Sequence, residues 1–317
     1  MNELANFAVN VAWQSSAIAL AALIASFVLR RAAARFHHAA LAFASIATAV
    51  VPVAGLFRTA TVAITIDAPA TPTIRPDVIA IVYLVFVLGA ALSLGRAWLR
   101  VRRLRRSAID VPPMEIADLC RAALGVGDVP IRASTEVAAP VTIGAVRPMI
   151  LLPVALPAET LPAVIGHELA HVRRRDGVMQ LVAELVNLVA GFNPLVRLLR
   201  RRMDIAREMA CDELVTSTLV APHEYAQALL AVAGRAIAPR YAMGIGHAAA
   251  LELRLRHLRE PRRTRTAHVI AAAAVIAATA FAFRLPLTLF ATHPNFSGDW
   301  VLDARRTHFG AVRPYQS

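Results

Sequence analysis

One short run of the sequence carries side chains whose types and spacing suit metal-assisted chemistry. His167, Glu168 and His171 form a His-Glu-x-x-His pattern within the segment 159–177. Residues four apart lie on one face of a helix, so both imidazoles can reach one tetrahedral zinc ion. Glu168 lies about 100° around the helix from His167, where it can take a proton from the attacking water and pass it to the leaving amine. The pattern predicts zinc-dependent peptide hydrolysis, and histidines that only pack or face solvent are the alternative.

A second segment can complete the metal site. A zinc site of this kind needs a third protein ligand, often a glutamate on a following helix. Glu208 and Asp212 are four residues apart in the predicted helix 203–219 and share one face. We expect Glu208 to be the third ligand of one zinc ion per chain, with a solvated charge paired to Arg207 as the alternative. Asp212 is placed to accept an N–H from a ligating histidine and so fix its tautomer.

Peptide hydrolysis at zinc usually needs a further donor for the oxyanion that develops on the substrate carbonyl. His223, Tyr225 and Arg207 are the candidates nearby in sequence, with packing or capping as the alternative role of each. We expect Asp176 to cap a helix or pair with an arginine. Cys211 is expected to be a buried structural cysteine whose side chain points away from the ligand face of its helix.

Two further segments must position these residues. The run 140–153, PVTIGAVRPMILLP, predicts a strand, a turn and a strand. Such a strand can hold a substrate backbone by β-augmentation, and an ordinary small sheet is the alternative.

The apolar run 177–199 has the length of a span, but it carries a polar stripe, and a crossing would move Glu208 about 30 Å from the zinc. We predict a buried or interfacial helix there.

Composition identifies the broad class of the chain. Of its 317 residues 57% are hydrophobic and 17% are charged, against about 25% charged in ordinary soluble chains. The mean hydropathy is +0.56, so much of the apolar surface is expected to face lipid. Every basic residue is arginine, which excludes chemistry that needs a Schiff-base, Walker-type or Ser-x-x-Lys lysine. Two cysteines, Cys120 and Cys211, form no disulfide framework.

Four stretches are apolar and long enough to cross a bilayer, which takes about 20 residues. The first lacks the positive start of a cleavable signal peptide, so we expect it to be retained. The predicted spans are 7–29, 38–57, 78–98 and 267–289. They divide the chain into a three-helix transmembrane region (1–99), a cytoplasmic zinc metalloprotease domain (100–266), a fourth transmembrane helix (267–290) and a short extracytoplasmic tail (291–317).

The arginines predict the orientation, because cytoplasmic loops near span ends collect positive charge. Arg30, Arg31 and Arg35 follow the first span, and further arginines cluster at 96–106 and 262–265. We therefore expect the N-terminus and the C-terminal tail outside and the protease domain inside. Topology and contact with anionic lipid explain these charges, so direct binding of nucleic acid is not expected.

Several motifs together resemble one protein family. HELAHVRRRD, FNPLVRLLRRR, REMACDELV and PHEYAQALLAVA resemble segments of the BlaR/MecR-type membrane metallopeptidases of bacteria, as does PVTIGAVRPMILLP. The resemblance implies a gluzincin-type protease domain that faces the cytoplasm among transmembrane helices. It implies that His167, His171 and Glu208 hold zinc, that Glu168 is the general base, and that Asp212 is the acidic residue after the third ligand.

The resemblance also implies a role in signalling. The best-known members sense β-lactams through an extracellular penicillin-binding domain, and signalling leads to self-cleavage and to cleavage of a cytoplasmic DNA-binding repressor. Here only about 25 residues follow the fourth predicted span, and the missing lysine excludes the Ser-x-x-Lys acylation site. Direct sensing of β-lactams is therefore not expected.

The sequence thus predicts a mainly α membrane protein of the bacterial cytoplasmic membrane, with four transmembrane helices and an α+β gluzincin-type domain that contains a small β-sheet. We expect a zinc endopeptidase in transmembrane signalling that cleaves itself, a cytoplasmic transcriptional repressor, or both. A quality-control protease and a silent receptor with structural zinc are the alternatives. The expected partners are membrane lipid and a peptide or protein substrate, and a homodimer is left open.

Overall fold

The computed structural model of the protein describes residues 1–28, 33–57, 75–154, 156–236, 245–259 and 266–284. Within these ranges the chain is mainly helical and contains one small sheet. Its helices are α1 (Asn2–Val28), α2 (Ala34–Gly55), α3 (Pro76–Ser107), α4 (Glu115–Leu124), α5 (Leu161–Arg173), α6 (Asp176–Ala190), α7 (Pro194–Thr218), α8 (Pro222–Ala236), α9 (Ile245–Arg259) and α10 (Thr266–Arg284). Its strands are β1 (Ile109–Asp110), β2 (Ile131–Ser134), β3 (Val141–Ile143) and β4 (Met149–Pro153).

Three helices in the described part of the chain, α1 to α3, are long and apolar enough to cross a membrane. They coincide with the first three predicted spans. α3 has 32 residues, a length of roughly 48 Å, and it continues without a break past the predicted domain boundary at residue 99. α10 packs against α1 and α2. This helix covers the first part of the fourth predicted span, and residues 285–289 of that span lie outside the described ranges. The predicted tail 291–317 and several of the arginines that predict the orientation also lie outside them.

The sheet has the strand order β1-β2-β4-β3, in which only β2 and β4 are parallel. β3 and β4 pair in antiparallel fashion, which confirms the predicted strand, turn and strand. Gly144 in the turn has φ +91°, and a Cβ there would lie 2.7 Å from the carbonyl oxygen of Arg147, so the turn requires glycine. Leu124, Ile150 and Ile165 are fully buried in a shared core, which fixes α5 against the sheet and α4.

α6 follows α5 and is shorter than a helix that spans a bilayer. It has 15 residues, a length of about 22 Å, against roughly 30 Å of hydrocarbon. Its polar stripe contacts α7, because Gln180 accepts a hydrogen bond from Arg207 at 3.0 Å and Glu184 pairs with Arg200. The side chain of Asn193 then caps α7 by accepting a hydrogen bond from the N–H of Leu195. α7 therefore runs back past α5, as the position of Glu208 requires.

Candidate active site

The three predicted metal ligands lie together where α7 crosses α5. His167 Nε2 is 3.3 Å from Glu208 Oε2, and His171 Nε2 is 3.8 Å from the same oxygen. The ligand atoms of His167, His171 and Glu208 all lie within 4.8 Å of one another. Gly166 permits the close approach of the two helices, since a Cβ there would lie 2.8 Å from the side chain of Leu219.

The far side of the His167 ring is held by Tyr225 and Asp212. The Tyr225 hydroxyl donates to Asp212 Oδ1 at 2.6 Å and lies 2.8 Å from His167 Nδ1. Because the hydroxyl proton goes to Asp212, the neutral ring of His167 donates its Nδ1–H to the tyrosine oxygen. The Nε2 lone pair then faces Glu208. Asp212 thus acts on His167 mainly through Tyr225, at a direct distance of 3.4 Å.

The far side of the His171 ring is held by Asp176. His171 Nδ1 lies 2.8 Å from Asp176 Oδ2, and Arg174 Nε donates to the same oxygen at 3.2 Å. Asp176 therefore pairs with an arginine, as expected, and also orients a candidate ligand, which was not expected. Asp176 is the first residue of α6, three residues beyond the end of α5, so no helix period in the sequence connects it with His171.

Cys211 is fully buried, as predicted, but its side chain does not point away from the site. The thiol donates to Asp176 Oδ2 at 3.3 Å and lies 3.3 Å from His171 Nδ1. The reason is that Cys211 comes three residues after Glu208 on α7, and residues three apart share a helix face, so the thiol lies beside the ligand face and not away from it. Burial and the nearby Asp176 carboxylate raise the pKa of the Cys211 thiol well above its usual range, so the thiol stays protonated in the metal-free protein.

The donor set fits one divalent metal ion. Two imidazole nitrogens and one carboxylate oxygen converge, while hydrogen bonds to Tyr225 and Asp176 occupy the opposite nitrogens of the rings. Two histidines and a glutamate form a zinc set that leaves a position open for substrate, and carboxylate partners behind the histidines are typical of such sites. We conclude that His167, His171 and Glu208 can hold zinc.

Glu168 lies beside these ligands and is 6% exposed. Its Oε2 accepts a hydrogen bond from the Thr142 hydroxyl at 2.7 Å, and the same hydroxyl lies 3.2 Å from the Glu168 backbone oxygen. Thr142 comes from β3, at the edge of the sheet. The sequence indicated a strand here but did not indicate that one of its side chains would orient the candidate general base.

These residues open into a cavity of about 500 Å³. Val141 and Thr142 of β3 lie at one side of it, beside Glu168. Polar and charged side chains of α6 and α7 form a second wall, namely Gln180, Asp204, Arg207 and Glu208. A third wall, from α5 and α8, is apolar and consists of Ala163, Val164, Ala228, Leu229 and Val232. Such a cleft, with an edge strand and an apolar wall, suits an extended peptide.

The three candidate oxyanion donors differ in where their side chains lie relative to the cavity. His223 has a side chain that is 75% exposed and is not part of the cavity wall, so it is not brought into the site. Tyr225 is fully buried, with its hydroxyl committed to Asp212 and His167. Arg207 does line the cavity, where it pairs with Asp204 at 3.0 Å and with Glu208 at 3.4 Å.

Arg254 is a site residue that the sequence did not reveal. Its Nε and Nη2 donate to the two oxygens of Asp212 at 2.8 and 2.7 Å, and its Nη1 lies 3.7 Å from Glu208 Oε2. It belongs to the arginine-rich segment before the last helix. Nothing in the sequence there indicates which of the arginines reaches the site. This guanidinium holds the pKa of the buried Asp212 at about 2, against the opposing effect of burial.

Proton binding at His167 gives a first prediction for metal affinity. Burial lowers the pKa of His167, but hydrogen bonds to Asp212 and Glu208 outweigh it and raise the pKa to about 9. Below that pH the metal-free ring is charged, so a metal must displace a proton from Nε2. Zinc affinity should therefore rise about tenfold per pH unit between pH 7 and 8.5.

Chelator competition at several pH values measures this dependence, once the chelator's own protonation has been corrected for. Calorimetry in buffers of different ionisation enthalpy counts the released protons independently. An affinity that does not change over this range would contradict the charged state of His167.

A second prediction concerns Tyr225. A Tyr225→Phe variant keeps the ring but removes the hydroxyl that orients His167, and loss of such an outer partner weakens metal binding by about 10- to 100-fold. Zinc dissociation measured by chelator competition tests this. Tyr83→Phe is the matched control, because the Tyr83 hydroxyl donates to the backbone oxygen of Val189 and Tyr83 does not line the cavity, so zinc affinity should not change.

Three apolar helices and a cleft with a His-His-Glu cluster define the class as a membrane metallopeptidase. The chain matches the BlaR1 peptidase M56 family over residues 5–258. It is also similar to the Regulatory protein BlaR1 of Bacillus licheniformis, with 35% identity over 89 residues. That similarity covers 27% of this chain but only 15% of the length of the relative. Because the family match covers well over half of the chain, the chain belongs to the BlaR1 peptidase M56 family.

Proposed function

We propose that the protein is a zinc-dependent endopeptidase of the gluzincin type that acts in transmembrane signalling in the bacterial cytoplasmic membrane. The observation that carries the proposal is the convergence of His167, His171 and Glu208 within 4.8 Å, with Glu168 beside them in a cleft large enough for a peptide. The name of its relative, a regulatory protein, supports the signalling role.

The proposed topology has four spans, with the N-terminus and the tail 291–317 outside and residues 100–266 in the cytoplasm. The packing of α10 against α1 and α2 supports a fourth membrane helix, since Gln14 of α1 donates a buried hydrogen bond to the Ala282 oxygen of α10. The arginines at the end of α3, among them Arg105 and Arg106, support a cytoplasmic protease domain.

In the proposed mechanism, His167, His171 and Glu208 would hold zinc, and the chemistry that it would supply there is Lewis-acid activation of the scissile carbonyl and of the attacking water. Glu168 accepts the proton of that water and delivers it to the leaving amine. Thr142 holds one carboxylate oxygen of Glu168 in place, and the edge strand β3 binds the substrate backbone in extended form. Tyr225 and Asp176 keep the two histidine rings oriented, with their Nε2 atoms toward Glu208.

We propose that the substrates are the protein itself, a cytoplasmic transcriptional repressor, or both. An immunoblot of doubly tagged protein in native membranes tests self-cleavage by comparing wild type with Glu168→Gln. Fragments present only in wild type are expected. Identical intact bands would contradict constitutive self-processing, and purified protein that binds no zinc would overturn the peptidase proposal as a whole. Glu159→Gln, an exposed change on the turn before α5, is the matched control.

A further inference from the structure

A continuous series of side chains joins the N-terminal part of α2 to the metal site. Arg174 lies between α5 and α6, and its Nη2 donates to His38 Nδ1 of α2 at 3.2 Å. The Nε of the same guanidinium donates to Asp176 Oδ2, which lies 2.8 Å from His171 Nδ1. The series His38, Arg174, Asp176, His171 therefore runs from a candidate membrane span to a candidate zinc ligand.

The turn that carries Arg174 is short and conformationally unusual. α5 ends at Arg173 and α6 begins at Asp176, so only two residues connect them. One of them, Arg175, has φ +57°, the left-handed conformation that non-glycine residues rarely adopt. Such a conformation persists only where its surroundings hold it. Here it places Arg174 against His38 of α2 and Asp176 against His171.

Asp176 depends on Arg174 for its orientation. The Asp176 side chain is 5% exposed, and its Oδ2 receives hydrogen bonds from His171, Arg174 and Cys211. Its Oδ1 is buried and has no hydrogen-bond partner among the residues that the structure describes. Since Arg174 is the cation that contacts this carboxylate, its removal would leave a buried charge held only by a thiol and an imidazole.

The other end of the series is equally buried. His38 is 7% exposed, and its Nδ1 accepts from Arg174, so the neutral ring carries its proton on Nε2. That Nε2 is buried without a hydrogen-bond partner in the described ranges. A buried imidazole with one unsatisfied nitrogen is costly to maintain, and its single hydrogen bond is the one to Arg174.

The first turn of α2 has a second attachment to the protease domain. Glu213 Oε1 of α7 accepts the backbone N–H of Ala34 at 3.0 Å, a favourable place for a carboxylate at a helix N-terminus. His257 of α9 lies 2.8 Å from the same oxygen. The start of α2 is thus attached both to the turn behind His171 and to the helix that carries Glu208.

We propose that Arg174 is a positioning residue of the metal site, which orients His171 through Asp176 and takes its own position from His38. The N-terminal part of α2 thereby sets the geometry of the zinc ligands, and a displacement of α2 relative to α5 would weaken metal binding and hydrolysis together. This inference rests on the proposed zinc peptidase function and adds the route by which a membrane helix controls it.

A double-mutant cycle on full-length protein in detergent tests the inference through metal binding. Dissociation constants for Zn²⁺ and Co²⁺ are measured by chelator competition, and the visible absorption of bound Co²⁺ reports ligand geometry. We expect Arg174→Gln to weaken binding about 10- to 100-fold and to change the Co²⁺ spectrum. We expect His38→Leu to weaken binding less, and the double variant to bind no more weakly than Arg174→Gln, because both changes break one series.

Conservative and neighbouring variants make the test specific. His38→Asn retains a hydrogen-bond acceptor and should restore most of the affinity lost in His38→Leu. Arg174→Lys keeps the charge but cannot contact both partners at once, so it should fall between wild type and Arg174→Gln. Arg173→Gln, at the exposed adjacent position, should bind like wild type. Circular dichroism identifies any variant that fails to fold, and the lysine and asparagine variants then carry the test.

The outcomes separate the inference from the function on which it rests. Wild-type affinity in Arg174→Gln would overturn the positioning role, and wild-type affinity in His38→Leu, or strictly additive effects, would overturn the connection to α2. Either result leaves the peptidase proposal standing. A wild-type protein that binds neither metal would overturn both.

Discussion

A Glu168→Gln variant should hydrolyse peptides about 10³-fold more slowly than wild type while retaining its full metal content. Glutamine has the shape of glutamate and can still accept the hydrogen bond from Thr142, but it cannot take a proton from water. Loss of a positioned general base costs about 10²- to 10⁴-fold in rate. The measurement is the turnover of a fluorogenic peptide library by purified protein, with zinc counted on the same samples.

Two further variants show whether the slower hydrolysis comes from the loss of the general base. Glu159→Gln makes the same chemical change at an exposed position just before α5 and should leave the rate unchanged. Thr142→Val removes the hydroxyl that orients Glu168 but keeps the base, so its rate should fall much less. A Glu168→Gln variant as fast as wild type would assign the base to another residue. A variant that loses its zinc would make Glu168 a ligand.

The residues that could be found from the sequence are those related by the period of a single helix. His167 and His171 are one turn apart, as are Glu208 and Asp212, and each pair does share a face in the structure. The expectation that these two helices meet followed from coordination chemistry, because a zinc site with two histidines needs a third protein ligand. The β3–β4 hairpin was equally predictable, since glycine and proline separate two short apolar runs.

The residues that could not be found are those that reach the site from other elements. Arg254 contacts Asp212 across 42 residues of sequence, and Thr142 contacts Glu168 across 26. Neither has a spacing that a helix or strand period would reveal. The orientation of Cys211 was misjudged for a different reason, because the spacing of three residues from Glu208 already places it near the ligand face of the helix. The helix period thus indicated the candidate ligands and Asp212 but not Thr142, Asp176 or Arg254, which reach the site from other elements.

The pair between Asp212 and Arg254 should be the most sensitive point for stability. The Asp212 side chain is 1% exposed and that of Arg254 is 15% exposed, and two hydrogen bonds join them. An Asp212→Asn variant would deprive the Arg254 guanidinium of the charged carboxylate that accepts two of its hydrogen bonds, and would leave Glu208 at 3.7 Å as the nearest carboxylate among the described residues. Breaking a buried pair in this way costs about 3–5 kcal/mol, so the thermal midpoint of the metal-free protein should fall by many degrees. Asp204→Asn, at a pair whose carboxylate is 36% exposed, is the control and should cost about 1 kcal/mol or less.

Replacing both partners separates the structural role of the pair from its role at the metal site. A double variant, Asp212→Leu with Arg254→Met, removes both charges and fills the space with apolar groups, so its thermal midpoint should recover most of the loss seen in Asp212→Asn. Zinc binding should not recover, because the Tyr225 hydroxyl would lose its acceptor and His167 its indirect tie to a carboxylate. Melting curves recorded with chelator present exclude any contribution from bound metal. Recovery of both properties would mean that Asp212 serves the fold alone, and recovery of neither would mean that the pair is not replaceable by packing.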